Sequence, residues 1–274
     1  MKNIKRFSIL AAVLVISLGI LTACGSGSDE SADKTIKVAA SPTPHAEILN
    51  SISDALAEEG WTLEVIEFDD YVQPNVATTD GDVDANYFQH IPYLTQYNEE
   101  NGTDLVAVGN VHYEAMGVYK GQKDSFDALE DGDKIAVPND VTNEARALRL
   151  LADNGVITLK DGVGLEATKL DIVDNPKNLE IVELEAATIP ASRPDVALGV
   201  INANYALGAG LTADDAVAYE AADSEAAETM VNVIVVNAGN ENSEKTQALV
   251  KAIQTDAVKD FILETYNGAV QPKF

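Results

Sequence analysis

Residues 84–94, DANYFQHIPYL, set Tyr87, Phe88, Gln89 and His90 side by side in a chain that is 6% aromatic and has three histidines. Two rings and an imidazole together make an apolar, polarizable wall. Such a wall accepts a thioether through sulfur–aromatic contacts of about 0.3 to 1.5 kcal/mol each. Arginine is equally sparse: beyond Arg6 only Arg146, Arg149 and Arg193 occur. Arg146 falls early in a helix opened by PNDVTN, where free backbone N–H groups and the positive dipole end favour an anion. A guanidinium there suits a carboxylate, which it binds in bidentate fashion. Arg149 lies farther from the helix start. Asn139, Asn143, Asn202 and Asn232 fall at expected strand ends and supply amides for an ammonium or a carboxylate. With Tyr71, Tyr87, Phe88 and His90 as the wall, the set suits a zwitterion carrying an apolar tail. Each residue alone also has a structural reading. Arg146 can pair with a surface acid, each Asn can cap or turn, Phe88 can be core, and His90 can be a satisfied buried histidine.

The elements that must position these groups repeat. TIKVAAS (35–41) reads as a strand, followed by prolines and then Ile48, Leu49, Ile52 and Leu56 at helical spacing up to Gly60. KIAVPND (134–140) leads in the same way into VTNEARALRLLADNG. LEVIEF (63–68) matches LEIVEL (179–184), and VDANYF (83–88) matches INANYA (201–206). An internal duplication accounts for this economically. Strands alternating with helices imply parallel sheets covered on both faces, hence an α/β chain of two lobes. LVAVGNVHYEAMGVYK (105–120) and MVNVIVV (230–236) read as strands that can cross between lobes. The C-terminal helical stretch from Ser243 then returns to the first. Ligands of open α/β sheets bind beyond the carboxyl ends of the strands, where SPTPH, NYFQH, PNDVTNEAR and INANY fall.

The first 23 residues combine a basic start (Lys2, Lys5, Arg6), an apolar run and small residues, the pattern of a secretory signal peptide. Leu21-Thr22-Ala23-Cys24 resembles the lipobox of bacterial lipoproteins, which implies cleavage before Cys24 and a lipid on its sulfur. Cys24 is the only cysteine, so no intramolecular disulfide forms. GSGSDESADK (25–34) is a flexible polar tether. Removing residues 1–23 takes away three positive charges and no acid, making the formal charge of −27 more negative still. That field repels nucleic acid and anionic lipid surfaces. The expected organisation is a signal peptide (1–23), a tether (24–33), lobe I (34–118 and 233–274) and lobe II (119–232).

SPTPHAEIL, DYVQPN, DANYFQHIPYL, VHYEAMGVY, PNDVTNEARAL, INANYA and VNVIVV together resemble segments of the methionine-binding lipoproteins of ABC importers, the NlpA lipoprotein family. The resemblance runs from the lipobox to the C-terminus. It implies a type II periplasmic-binding fold with a ligand cleft between two lobes, and capture of L-methionine, D-methionine or close derivatives. By the same resemblance Arg146 holds the α-carboxylate and Asn202 and Asn232 fix the amino acid backbone. Tyr71, Tyr87, Phe88 and His90 then surround the side chain, with Asn143 beside them. The implied partners are an importer permease and its ATPase, and the membrane through a lipid on Cys24. No cofactor and no nucleic acid are implied. Ala145, Thr43 and Ala115 stand where the family often has Gly, Gly and Pro, which bears on loop geometry more than on substrate class.

A solute receptor for another amino acid is one alternative. A receptor for a metal ion such as zinc would use His45, His90 and His112 with a carboxylate, but no His-rich loop or paired-ligand spacing supports it. An enzyme lacks support, because neither G-x-S-x-G nor H-E-x-x-H occurs, and GAGLTA (208–213) has no strand immediately before it. A structural adhesin has no need of an interior set of Arg, Asn and rings.

Overall fold

The computed structural model describes residues 33–221 and 224–274. The expected signal peptide, Cys24 and the tether up to residue 32 lie outside the described residues. The chain begins with β1 (Thr35–Ala40), α1 (Glu47–Ser51), α2 (Ser53–Glu58), β2 (Thr62–Glu67), α3 (Gln73–Asp80), β3 (Ala85–His90), α4 (Ile91–Asn101) and β4 (Leu105–Glu114). It continues with β5 (Gly117–Lys120), β6 (Lys134–Pro138), α5 (Val141–Asp153), β7 (Thr158–Leu159), β8 (Ile172–Asp174) and β9 (Glu180–Leu184). Next come α6 (Ile189–Ser192), β10 (Leu198–Ile201), α7 (Ala203–Gly208), β11 (Ala216–Tyr219) and α8 (Glu225–Thr229). It closes with β12 (Asn232–Asn237), α9 (Glu244–Ile253), α10 (Asp256–Tyr266) and β13 (Val270–Pro272).

Two large sheets form, ordered β13-β4-β12-β3-β1-β2 and β11-β5-β10-β6-β9, and β7 pairs with β8 in a separate two-stranded ribbon. The shared plan is visible in their centres. β1 runs parallel to β2 and β3, as β6 does to β9 and β10. An antiparallel strand follows in each, β12 beside β3 and β5 beside β10. The two lobes therefore repeat one topology. The matched segments VDANYF and INANYA are not equivalent within it, however. Ala85–His90 is strand, whereas Ala203–Gly208 is helix. The positions that correspond are His90 and Asn202, each the N-cap of the helix that leaves the third strand of its lobe. The three shared letters, Ala, Asn and Tyr, do not fix a conformation, because a strand end and a helix start both accept them.

The chain leaves the first sheet after Glu114 and enters the second at Gly117. Pairing of Asn232 with His90 and His112 shows that it has returned by that residue. The expected lobe divisions after residues 118 and 232 thus fall inside strands, because Ala115 and Met116 alone make the outward switch.

Helix α5 shows how sequence spacing sets an element. Asp140 caps it by accepting from the Asn143 backbone N–H at 3.0 Å. The apolar positions Ala147, Leu148 and Leu151 are fully buried against the second sheet. Asn154 ends the helix, and Gly155 at φ 71° turns the chain away. That amphipathic face fixes the rotation of the helix, so Asn143 and Arg146 point toward the other lobe.

Leu148→Ala removes a side chain that is fully buried, and should lower stability by about 2 to 5 kcal/mol in chemical denaturation. Leu170→Ala, at a residue 89% exposed, should change it by no more than about 0.5 kcal/mol.

Candidate functional site

Where the carboxyl ends of the two sheets face each other they enclose a small cavity of about 30 Å³. That is well below the roughly 300 to 1,000 Å³ usual for small-molecule sites. β3 contributes Phe88, Gln89 and His90, and the loop after β2 contributes Tyr71. α5 supplies Asn143 and Arg146, the β10–α7 junction supplies Asn202 and Asn204, and β12 supplies Asn232. Arg149 instead points its guanidinium at the Gly164 carbonyl on an exposed surface, and Asn139 is exposed in the turn before α5.

Tyr87, expected on the wall, does not line the cavity. Side chains alternate along a strand, and Tyr87 points into the core of the first lobe beside Ile234 and Val111. Its hydroxyl meets His112 Nδ1, and its ring packs edge-on to His45 at 4.7 Å. The same alternation turns Phe88 the other way, toward the cavity, and a β-bulge falls at this point of the strand. Opposite β12, Tyr87 pairs with Ile234 and Gln89 with Val233, so Phe88 is the extra residue and the strand turns there. Asn75 and Asn86 bond to Gln89 at 2.6 to 3.0 Å and hold this distorted strand to α3.

Arg146 is buried, and its fork is already engaged. Nε donates to Glu220 Oε1 at 2.7 Å, and Nη2 donates to Glu220 Oε2 at 2.6 Å and to the Glu114 carbonyl at 2.7 Å. The bidentate face expected to take a ligand carboxylate therefore belongs to Glu220. Glu220 also accepts from the Tyr113 hydroxyl at 2.9 Å and the Met116 backbone N–H at 2.8 Å. Burial works to raise the Glu220 carboxyl, but the adjacent guanidinium wins and holds it below its ordinary value. Sequence offered no signal for Glu220, one acid among 45 Asp and Glu.

The lobes touch across the cavity. His90 Nε2 lies 3.3 Å from Asn143 Oδ1, and the Tyr71 hydroxyl donates to Asn204 Oδ1 at 2.6 Å. The Tyr205 hydroxyl donates to the Asp69 carbonyl at 3.0 Å, and the Tyr71 and Tyr205 rings lie 4.9 Å apart. This is a closed cleft. Inside it Asn202 donates to Asn143 Oδ1 at 2.8 Å, while its own Oδ1 is buried without a protein partner. Such an orphaned acceptor calls for a donor from outside the protein.

His45, His112 and Glu114 form a second buried group at the edge of the cavity, their ligand-type atoms within 4.8 Å of one another. The strand alternation in His112-Tyr113-Glu114 could have revealed that His112 and Glu114 share a face. Here His112 Nε2 and Glu114 Oε1 are hydrogen-bonded at 2.5 Å, so a metal ion would have to displace that proton. Burial holds His45 and His112 neutral, lowering them to about 4 and about 3. Burial and then the charge of Arg146 lower His90 to about 4. Burial raises Glu114.

With this geometry established, comparison with known proteins is informative. The family model described as NlpA lipoprotein matches residues 36–274. The D-methionine-binding lipoprotein MetQ of Salmonella typhimurium is 42% identical over 268 residues, covering 96% of this chain and 97% of its own. A lipoprotein crystal structure from Ruminococcus gnavus superposes with a TM-score of 0.87 at 60% identity, covering 88% of this chain and 100% of that one. A nutrient-binding protein from Burkholderia cenocepacia, solved bound to methionine, gives a TM-score of 0.82 at 43% identity, with 87% and 100% covered.

Two outcomes follow from the buried charges. Between pH 6.5 and about 4 the unfolded chain takes up protons that the three folded histidines refuse, so stability, complete above that window, falls as pH falls through it. Each histidine contributes a slope of about 1.4 kcal/mol per pH unit, offset where Glu114 holds a proton in the folded state. Urea midpoints measured from pH 7.5 to 5 should show the decline, and His90→Asn should make it shallower. Glu220→Ala strands Arg146 in the interior and should cost about 3 to 5 kcal/mol. Glu59→Ala at the exposed pair with Lys251 should cost at most about 1 kcal/mol in the same assay.

Proposed function

The chain belongs to the NlpA lipoprotein family, and from that premise we propose that it captures methionine, as the L or D enantiomer, and delivers it to an ABC-type importer. The observation that carries this reading is the closed cavity lined by Arg146, Asn202 and Asn232 together with Tyr71, Phe88 and Tyr93. Arg146, oriented by Glu220, meets the α-carboxylate. The amides of Asn202 and Asn232 hold the amino acid backbone, and Asn143 is fixed beside them through Asn202. The rings receive the thioether, with His90 neutral among them.

Closure supplies the signal to the transporter. A ligand shifts an open–closed equilibrium only by its preference for the closed state. Here the contacts come from both lobes, so only closure completes them. A lipid on Cys24 would keep the protein beside the permease and its ATPase, raising local concentration, and two acyl chains suffice for stable anchoring. The chain then has a binding role and no catalytic one.

Calorimetric titration of methionine into protein stripped of bound ligand by unfolding and refolding should give saturable one-to-one binding. Arg146→Lys keeps a charge opposite Glu220 but loses the fork, and should weaken binding by at least about 30-fold, the equivalent of roughly 2 kcal/mol. Absence of heat in folded wild-type protein would discard methionine as the ligand. Unchanged affinity in the Lys variant would remove Arg146 from the site.

A further inference from the structure

His45 follows β1, while His112 and Glu114 share one face of β4, and the fold brings the three together. All are buried, and their ligand-type atoms lie within 4.8 Å of one another. Among the described residues no other three His, Cys, Asp or Glu meet in this way. His90 stands apart, bonded to Asn143. Two imidazoles and one carboxylate are a donor set that zinc takes with its fourth position left open. Donors about 2.0 to 2.2 Å from a tetrahedral ion stand roughly 3.4 Å from each other. His45 Nε2 and Glu114 Oε1 are already 3.4 Å apart. His112 Nε2 is 2.5 Å from the same oxygen, so an entering ion replaces that hydrogen bond and spreads the two atoms.

The groups behind the three residues are of the kind that metal ligands need. A ligating histidine gives its other nitrogen to a partner that fixes the ring. His112 Nδ1 meets the Tyr87 hydroxyl, which either donates or accepts, so the imidazole can carry its proton on Nδ1 and free Nε2. His45 Nδ1 has no protein partner, so moving a proton there breaks no bond at that nitrogen. Glu114 accepts from the Asn204 backbone N–H, which orients the carboxylate. Arg146 acts on the same spot, but its charge is paired with both oxygens of Glu220. Magnesium and calcium call for cages of oxygen, whereas this set offers two nitrogens for each carboxylate. His45 and Glu114 also line the ligand cavity with Asn232, whose Oδ1 lies 3.0 Å from His45 Nε2.

We infer that His45, His112 and Glu114 form a binding site for a divalent metal ion of the zinc class, and that an ion held there excludes the amino acid from the cleft. The metal site stands independently of the methionine reading. The exclusion rests on that reading, because Asn232 is there assigned to the amino acid backbone. The ion is an antagonist of capture in this scheme, neither cargo nor cofactor. Tyr87, which does not reach the cavity, acquires a part in it as the outer partner of His112.

The test is calorimetric titration of zinc chloride into untagged protein stripped of bound ligand, with melting curves to establish folding. Wild type should bind one zinc ion, and magnesium chloride should give no saturable heat. His112→Gln removes a ligand and should weaken zinc by more than about 100-fold, beyond the roughly 10- to 100-fold that follows loss of an outer partner. Tyr87→Phe keeps the ring and removes only the hydroxyl behind His112; it should weaken zinc by about 10- to 100-fold and reports on the site even where His112→Gln fails to fold. With zinc at ten times its own Kd, the apparent affinity of wild type for methionine should fall about tenfold. Zinc binding unchanged in the folded variants would assign it to surface carboxylates and overturn the site, as would the absence of one-to-one binding in folded wild type. Methionine affinity unaltered or raised by saturating zinc would overturn the exclusion. Failure of folded wild type to bind methionine would overturn the methionine reading and the exclusion with it, while the zinc titration still decides the metal site.

Discussion

The paired fork of Arg146 on Glu220 is the constraint on which the site depends. Arg146 comes from α5, Glu220 from the end of β11, and the other groups bound to Glu220, Tyr113 and the Met116 N–H, flank the two-residue switch between sheets. One carboxylate thus joins the ligand-facing helix to both the outgoing strands and the segment that begins the return. Removing two such charges from water is costly, and the bidentate geometry with extra donors on Glu220 offsets that cost. The arrangement keeps the guanidinium fixed on the cavity wall.

Around that fixed pole the cleft is built from groups that satisfy one another across the lobes. Tyr71 with Asn204, Tyr205 with Asp69, and His90 with Asn143 form direct bonds between the two sheets' halves. Each neutral bond is worth only about 1 kcal/mol net, so these contacts define the closed geometry without making it irreversible. The stronger electrostatic demands sit deeper, at Arg146 and Glu114, where water is excluded and an unmatched charge counts for most. A closing clamp of this kind has weak contacts at its rim and strong ones at its centre, and its response is governed by what occupies the centre.

Much of this was legible beforehand. Tyr71, Phe88, His90, Asn143, Arg146, Asn202 and Asn232 all reach one cavity, because strand–loop–helix units place the carboxyl ends of their strands on one side. Tyr87 was misplaced because adjacent letters in YFQH were read as one wall, whereas a strand sends neighbours to opposite faces and only the bulge at Phe88 interrupts the alternation. The ANY match was misread for a related reason: three residues compatible with two conformations carry no register.

The sequence by itself determined the repeated α/β plan and the family. Hydrophobic spacing, caps and turn residues are local, and a chain read one element at a time contains them in full. Tertiary structure alone decided the partners. Glu220 lies 74 residues from Arg146, and Asn232 lies 187 from His45. Nothing local marks these pairs, because an acid or an amide looks the same wherever it stands. Only the folding of two sheets against each other settles which buried group meets which partner.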